Sequence, residues 1–201
     1  MRRLRPPGLE PLFIATLGLF GFRLGARSIG DNSMFVHLRT GIDMARTGAI
    51  PRRDRYSLTA HGHRWVVQSW LPEWTYGWVY RLGDLRLVVI EQAVLYALLA
   101  VLISLLARAG SPLRTALAAG VAVGAGAAYW SPRPLMFGLL AMAVTILIVE
   151  RRRSPWLLVP VMWIWVSSHG SFLLAPVWLG AVVVGEAIDT RAWPQIGRAH
   201  V

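Results

Sequence analysis

The chain has no cysteine and no lysine. Without cysteine there are no disulfides, no thiolate nucleophile and no thiolate metal site. All 21 basic residues are arginine, a uniformity that fits a high-GC coding bias and carries no chemistry. Charge is also scarce, at 15% of 201 residues, where soluble domains hold about 25%. What fills the chain instead is apolar sequence: 55% hydrophobic residues, with a mean hydropathy of +0.49. The net charge of +11 suits a nucleic-acid binder in size but not in placement. Outside one loop the arginines cluster at the ends of apolar runs, as the positive-inside rule places them, so no nucleic-acid partner is expected.

The scarce acidic residues are unevenly spread. Asp31, Asp43, Asp54 and Glu73, four of ten, fall in residues 31–82 with three of the five histidines. The apolar runs lie on either side: 11–26 before this loop, then 87–107, 115–130, 135–149, 156–168 and 172–187. A basic start and a short apolar run also resemble a signal peptide, but Arg23 and the missing A-x-A site favour an uncleaved anchor. Arg2, Arg3 and Arg5, then Arg108 and Arg114, then Arg151 to Arg153 mark one side; the short turns opposite hold only Arg133, while the long first loop, which follows the rule less strictly, carries arginines of its own. This predicts an all-α polytopic protein of about six transmembrane helices in a single membrane domain, residues 1–195. The N-terminus is cytoplasmic and a large first outer loop covers about 27–85. The last two runs are short enough to form a re-entrant pair instead of two spans.

Within the loop, Met34, Phe35, Leu38, Ile42 and Ala45 recur at helical spacing, predicting an interfacial amphipathic helix that Gly48 ends. Residues 56–60 and 64–67, around His61-Gly62-His63, read as a small hairpin. Ser69 is placed to cap a second interfacial helix, with Pro72 in its first turn. Trp70, Trp74 and Trp78 follow at every fourth position and read as an interface belt. The closing I-G-R-A-H-V, residues 196–201, resembles an in-frame translation of a sequencing adapter. The expectation is a native sequence that stops near Gln195 and is truncated there.

The polar residues follow an ordered pattern: D-N-S-x-x-x-H-L-R-x-G, I-P-x-x-D-x-Y-S-x-T, Q-S-W-L-x-E, then R-P and H-G-x-F. From Asp31 to Phe172 this resembles a bacterial family of polytopic membrane proteins similar to GT-C glycosyltransferases. That superfamily includes the protein mannosyltransferases and the lipid A aminoarabinose transferases. The resemblance implies a multi-pass protein of the bacterial cytoplasmic membrane. It implies a sugar moved from a polyprenyl-phosphate donor to a cell-envelope acceptor on the outer face. It also implies an essential acid early in the first loop, a position held here by Asp31, with Asp54 as a second candidate. Many family members carry another acid two residues after the first, where this chain has Ser33. Mg²⁺ and Mn²⁺ prefer carboxylate oxygens, so Ser33 disfavours a divalent metal without excluding one, and no metal ligands are assigned.

Each candidate has a plainer role beside the chemical one. Asp31 stands where a helix N-cap belongs. Asp54 follows two arginines and suits a surface ion pair. Arg133, between prolines at a membrane boundary, suits a donor phosphate; it also suits snorkelling to the surface. His37, Gln68, Glu73 and His169 are read as supporting the site, or as hydrogen bonds that hold the loop together. Two competing functions remain at this stage. One is a non-catalytic scaffold or lipid-binding protein of the same fold. The other is a transporter, which should bury polar groups in mid-span; Glu91 is the main such residue.

Overall fold

The computed structural model describes residues 8–190. The basic start and the adapter-like end fall outside the described residues. Seven α-helices follow in order: α1 Leu9–Gly25, α2 Asn32–Thr47, α3 Trp70–Leu106, α4 Pro112–Ala127, α5 Leu135–Glu150, α6 Leu158–Val166 and α7 Leu174–Thr190. Short 3-10 turns, Pro155–Leu157 and Gly170–Leu173, lead into α6 and α7. Among the described residues there is no strand.

Two helices are long and apolar enough to cross a membrane: Trp70–Leu106, and the continuous helix Gly170–Thr190. The other apolar elements are shorter. The helices α1, α4 and α5 have 17, 16 and 16 residues, and α6 has 9. At 1.5 Å per residue, a 16-residue helix covers about 24 Å of a hydrocarbon layer about 30 Å thick. Of about six expected spans, two therefore meet the length outright. Large apolar side chains on the outer surfaces of α1, α4 and α7 are bare, including Leu19, Val121, Val177 and Ile188. Bare apolar faces of this extent suit lipid better than water.

The centre of the molecule is α3. It packs against α1, α2, α4 and α5. Its backbone breaks at Gly83 and Asp84, where Asp84 has φ 55° and ψ −158°. A positive φ at a non-glycine residue is uncommon and costs energy. The break separates residues 70–82, which pack on α2, from the apolar residues 85–106. The larger core gathers Tyr96, Leu99, Ala100, Val123, Trp130 and Met136. A second core joins Met34 and Leu38 of α2 to Tyr76 and Val88 of α3. So the predicted amphipathic helix turns its apolar stripe onto another helix of the same protein.

Two glycines let α2 and α3 touch. A Cβ at Gly41 would lie 1.8 Å from the Glu73 carbonyl oxygen, and one at Gly77 would lie 2.0 Å from that of Gly41. Only hydrogen fits there. This contact fixes the register in which α2 and α3 present their polar residues.

The predicted hairpin does not form. Its pairing is a single antiparallel bridge between Arg53 and Arg64, earlier in the chain than residues 56–60. The Asp54 carboxylate accepts the backbone N–H groups of Tyr56 (2.8 Å) and Ser57 (2.9 Å). That local capture curls the chain where the first strand was expected. Ser69 does stand at the N-terminus of α3, but its side chain makes no cap hydrogen bond; its carbonyl accepts from Glu73 N–H at 3.2 Å. The tryptophans also differ from a simple belt. Trp70 packs on Trp74 and on Trp163 of α6, each 6.0 Å between ring centres.

Candidate functional site

Asp31 caps α2 and binds α5's leading turn at the same time. Its extended backbone (φ −104°, ψ 107°) lets Oδ1 accept Ser33 N–H at 3.0 Å and the Ser33 hydroxyl at 2.9 Å. Ser131 donates its hydroxyl to Oδ2 from the turn between α4 and α5. Arg133, two residues on, donates through Nη2 to Oδ1 at 2.8 Å and through Nε to Oδ2. This is the two-pronged guanidinium–carboxylate geometry that a lysine cannot reproduce. The Arg133 guanidinium holds the Asp31 carboxyl well below the usual carboxylate range; the two serines add to the effect, and partial burial opposes it. The same pairing raises the Arg133 guanidinium. The cap and the Arg133 pairing thus coexist in one residue.

A cavity of about 370 Å³ opens beside this pair. Asp31 and Ser131 line it with Arg27, Gln92, Tyr96 and Trp130. Arg133 grips the carboxylate from outside that lining. Tyr96 sits edge-on to Trp130, with ring centres 5.3 Å apart. Gln92 donates to the carbonyl of Gly25, tying α3 to the end of α1. Among the described residues, the Gln92 Oε1 and the Tyr96 hydroxyl are buried and make no direct hydrogen bond, with Arg27 beside the hydroxyl. Buried polar atoms are rarely left unpaired, so the Gln92 oxygen is open to a ligand atom. The sequence reading missed Arg27, Gln92, Tyr96 and Ser131. Only the prolines beside Ser131 signalled a break, and nothing in the sequence marked the others as neighbours.

His37 and Glu73 pair with each other instead, with Nδ1 2.7 Å from Oε1. His169, in the turn before α7, lies close enough to His37 to feel its charge. Burial first, and His37 second, hold the His169 imidazole below its ordinary value. Gln68 donates to the Val166 carbonyl at 3.4 Å, and Leu71 N–H to that of Ser167 at 3.2 Å. These bonds bring the start of α3 against the α6–α7 turn.

Asp54 stands apart from the cavity lining. Its carboxyl is held down by Ser57 and the backbone of its own turn, and His61 adds a smaller pull. The loop is clipped to α2 by the Tyr56 hydroxyl, which donates to Asp43 Oδ2 at 2.8 Å. Burial, with Asp43 second, pushes that phenol up to about 12.

The donors around Asp31 do not suit a divalent cation. Both of its oxygens accept from N–H or O–H groups, and Ser33 donates where a second carboxylate would ligate. Among the described residues, no three His, Cys, Asp or Glu side chains form a group that could hold a metal ion. No family model, curated protein or solved structure matches the chain.

Proposed function

We propose that this protein is a membrane glycosyltransferase of GT-C type, or a close structural equivalent. In this reading about six segments cross the bacterial cytoplasmic membrane, and the loop at 27–85 lies outside. The protein moves a sugar from a polyprenyl-phosphate donor to a hydroxyl of a cell-envelope acceptor. One observation carries the reading: a carboxylate and an arginine, 102 residues apart in the chain, meet at the edge of a cavity that holds unpaired polar atoms.

The pair explains how such a reaction is gated. With its guanidinium in place, Asp31 is a poor base, because its proton affinity is low. A phosphate offers Arg133 a second two-pronged partner of higher charge. When the donor phosphate takes the arginine, Asp31 loses its strongest donor and its proton affinity rises. The freed carboxylate accepts the proton of the acceptor hydroxyl while that oxygen attacks the anomeric carbon. The bond to the phosphate oxygen breaks, and the departing phosphate keeps the electron pair beside Arg133. No step needs a metal.

A second reading has its own support. Asp31 caps α2 and joins α2 to the α4–α5 turn, which is also what a non-catalytic scaffold would need. Donor binding separates the two. Trp130 lines the cavity, so a short-chain polyprenyl phosphate should change the tryptophan fluorescence of protein in lipid nanodiscs. Arg133→Lys should weaken that binding about tenfold, since a point charge replaces a fork. Saturable binding that Arg133→Lys leaves unchanged would favour the scaffold.

A further inference from the structure

The cavity beside Asp31 holds an acceptor that the chain itself leaves unused. Gln92 is 3% exposed and stands on α3 one helical turn before Tyr96, so both side chains share the face that lines the cavity. Its side-chain Nε2 donates to the carbonyl of Gly25 and, at 3.4 Å, to that of Arg27. The first bond follows from a close approach of α1 and α3. A Cβ on Gly25 would lie 2.6 Å from the Ala93 Cα, so only hydrogen fits there. Two carbonyl oxygens on one side fix the orientation of the Gln92 amide. Turned over, its oxygen would face both of them with no proton between. Oε1 therefore points away from the end of α1, and among the described residues it has no partner.

Charge adds a second demand. Asp31 and Arg27 both line the cavity, but Arg133 already compensates Asp31 from outside it. Among the described residues Arg27 makes no ion pair; its side chain stands beside the Tyr96 hydroxyl. The uncompensated charge of the lining is therefore positive. An unused buried acceptor is costly until a donor reaches it, and a free guanidinium favours an oxyanion. The contact between the Gln92 amide and the Arg27 backbone puts the two demands side by side. A cationic donor is disfavoured by Arg27, which leaves a neutral one: a hydroxyl on the same molecule as the anion. A volume of about 370 Å³ admits a small organic ion of this kind.

We propose that Gln92 is the specificity-determining residue of this cavity, and that its ligand is a polyol carrying an oxyanion. The Gln92 Oε1 accepts a ligand hydroxyl while the Arg27 guanidinium donates to the anionic group. Arg27 acts inside the cavity, apart from the Arg133 exchange proposed at its edge. Taking the oxyanion as a phosphate rests on the transfer reading above; the demand for a hydroxyl beside an anion does not.

The test uses the whole chain in phosphatidylcholine nanodiscs, with binding followed by saturation-transfer NMR. Glycerol 1-phosphate and propyl phosphate share charge and carbon skeleton, and only the first carries free hydroxyls. The wild type should bind glycerol 1-phosphate about fivefold more tightly, the effect of one hydrogen bond. Gln92→Met should bring that ratio to about one, whereas Arg27→Gln should weaken both esters about tenfold and keep the ratio. In the unaltered chain with ¹⁵N-labelled glutamine, glycerol 1-phosphate should shift the Gln92 amide resonances and propyl phosphate should not. That measurement tests the site even where Gln92→Met fails to fold. A wild type that does not distinguish the two esters would overturn the assignment. So would a Gln92→Met chain that weakens both alike and keeps the ratio, because only the tie between α1 and α3 would then have been lost. Competition separates the sources of the ligand. Displacement by glucose 1-phosphate points to a sugar phosphate, and displacement by phosphatidylglycerol in the nanodisc to a lipid headgroup; either keeps the site. A chain with the hydroxyl preference but no sugar transfer keeps this site and loses the transfer reading; a chain that transfers without the preference loses this site alone.

Discussion

Five hydrogen bonds converge on the two oxygens of Asp31. Such a carboxylate is locked in its charged form, and the consequence is visible in acid. Its folded proton affinity is depressed, chiefly by Arg133, so its stabilising effect is complete above the unfolded value. That effect fades as the pH falls through the lower folded value. The difference in melting temperature between wild type and Asp31→Asn should be constant from about pH 8 to about pH 5, and should shrink below about pH 4. A difference that already collapses near pH 6 would mean the pair is not formed. Asp31 was legible in the sequence because D-N-S ahead of a periodic run is a cap signal. Its union with Arg133 was implied by the transfer chemistry, which needs an acid and a phosphate-binding cation together on the outer face, and by no single motif. The partner Ser131 was not legible, since nothing in S-P-R-P says which hydroxyl turns inward. Asp54 differs for a related reason: an acid after two arginines suggests an ion pair, yet its oxygens accept the Tyr56 and Ser57 backbone N–H groups and the Ser57 hydroxyl.

The contact between α2 and α3 decides where the polar residues stand. The period of α2 and its end at Gly48 could be read directly, because the helix has an apolar stripe and a left-handed C-cap (φ 69°). What its stripe would cover could not, because lipid and the apolar face of α3 make the same demand on a sequence. The break in α3 was foreseen only as a boundary between a surface helix and a span. The backbone leaves helical geometry at Gly83 and Asp84, at that boundary. Gly77→Ala drives a methyl group into the Gly41 carbonyl and should cost at least about 1–3 kcal/mol. If the protein still folds, α2 must move away, and the His37–Glu73 hydrogen bond should be lost with it. A Gly77→Ala chain of unchanged stability would contradict the close approach.

For the molecule as a whole, composition announced the all-helical class, and the apolar runs announced nearly every helix. The number of crossings was harder to read, because runs of 16 residues are near the lower limit for a bilayer. The hairpin failed because a local Asx turn at Asp54 outcompeted the strand pattern. The arginine pattern still argues for a loop that faces outward. A cysteine placed at Ala60 should react with an impermeant reagent in intact cells. Reaction only after permeabilisation would invert the topology.

The most direct measurement is sugar transfer from a polyprenyl-phosphate donor by this protein in membranes, compared with Asp31→Asn. Asparagine has the shape of aspartate and can still cap α2, but it cannot take a proton. The account predicts transfer by the wild type and none by a correctly folded Asp31→Asn. Full transfer by that variant would contradict it.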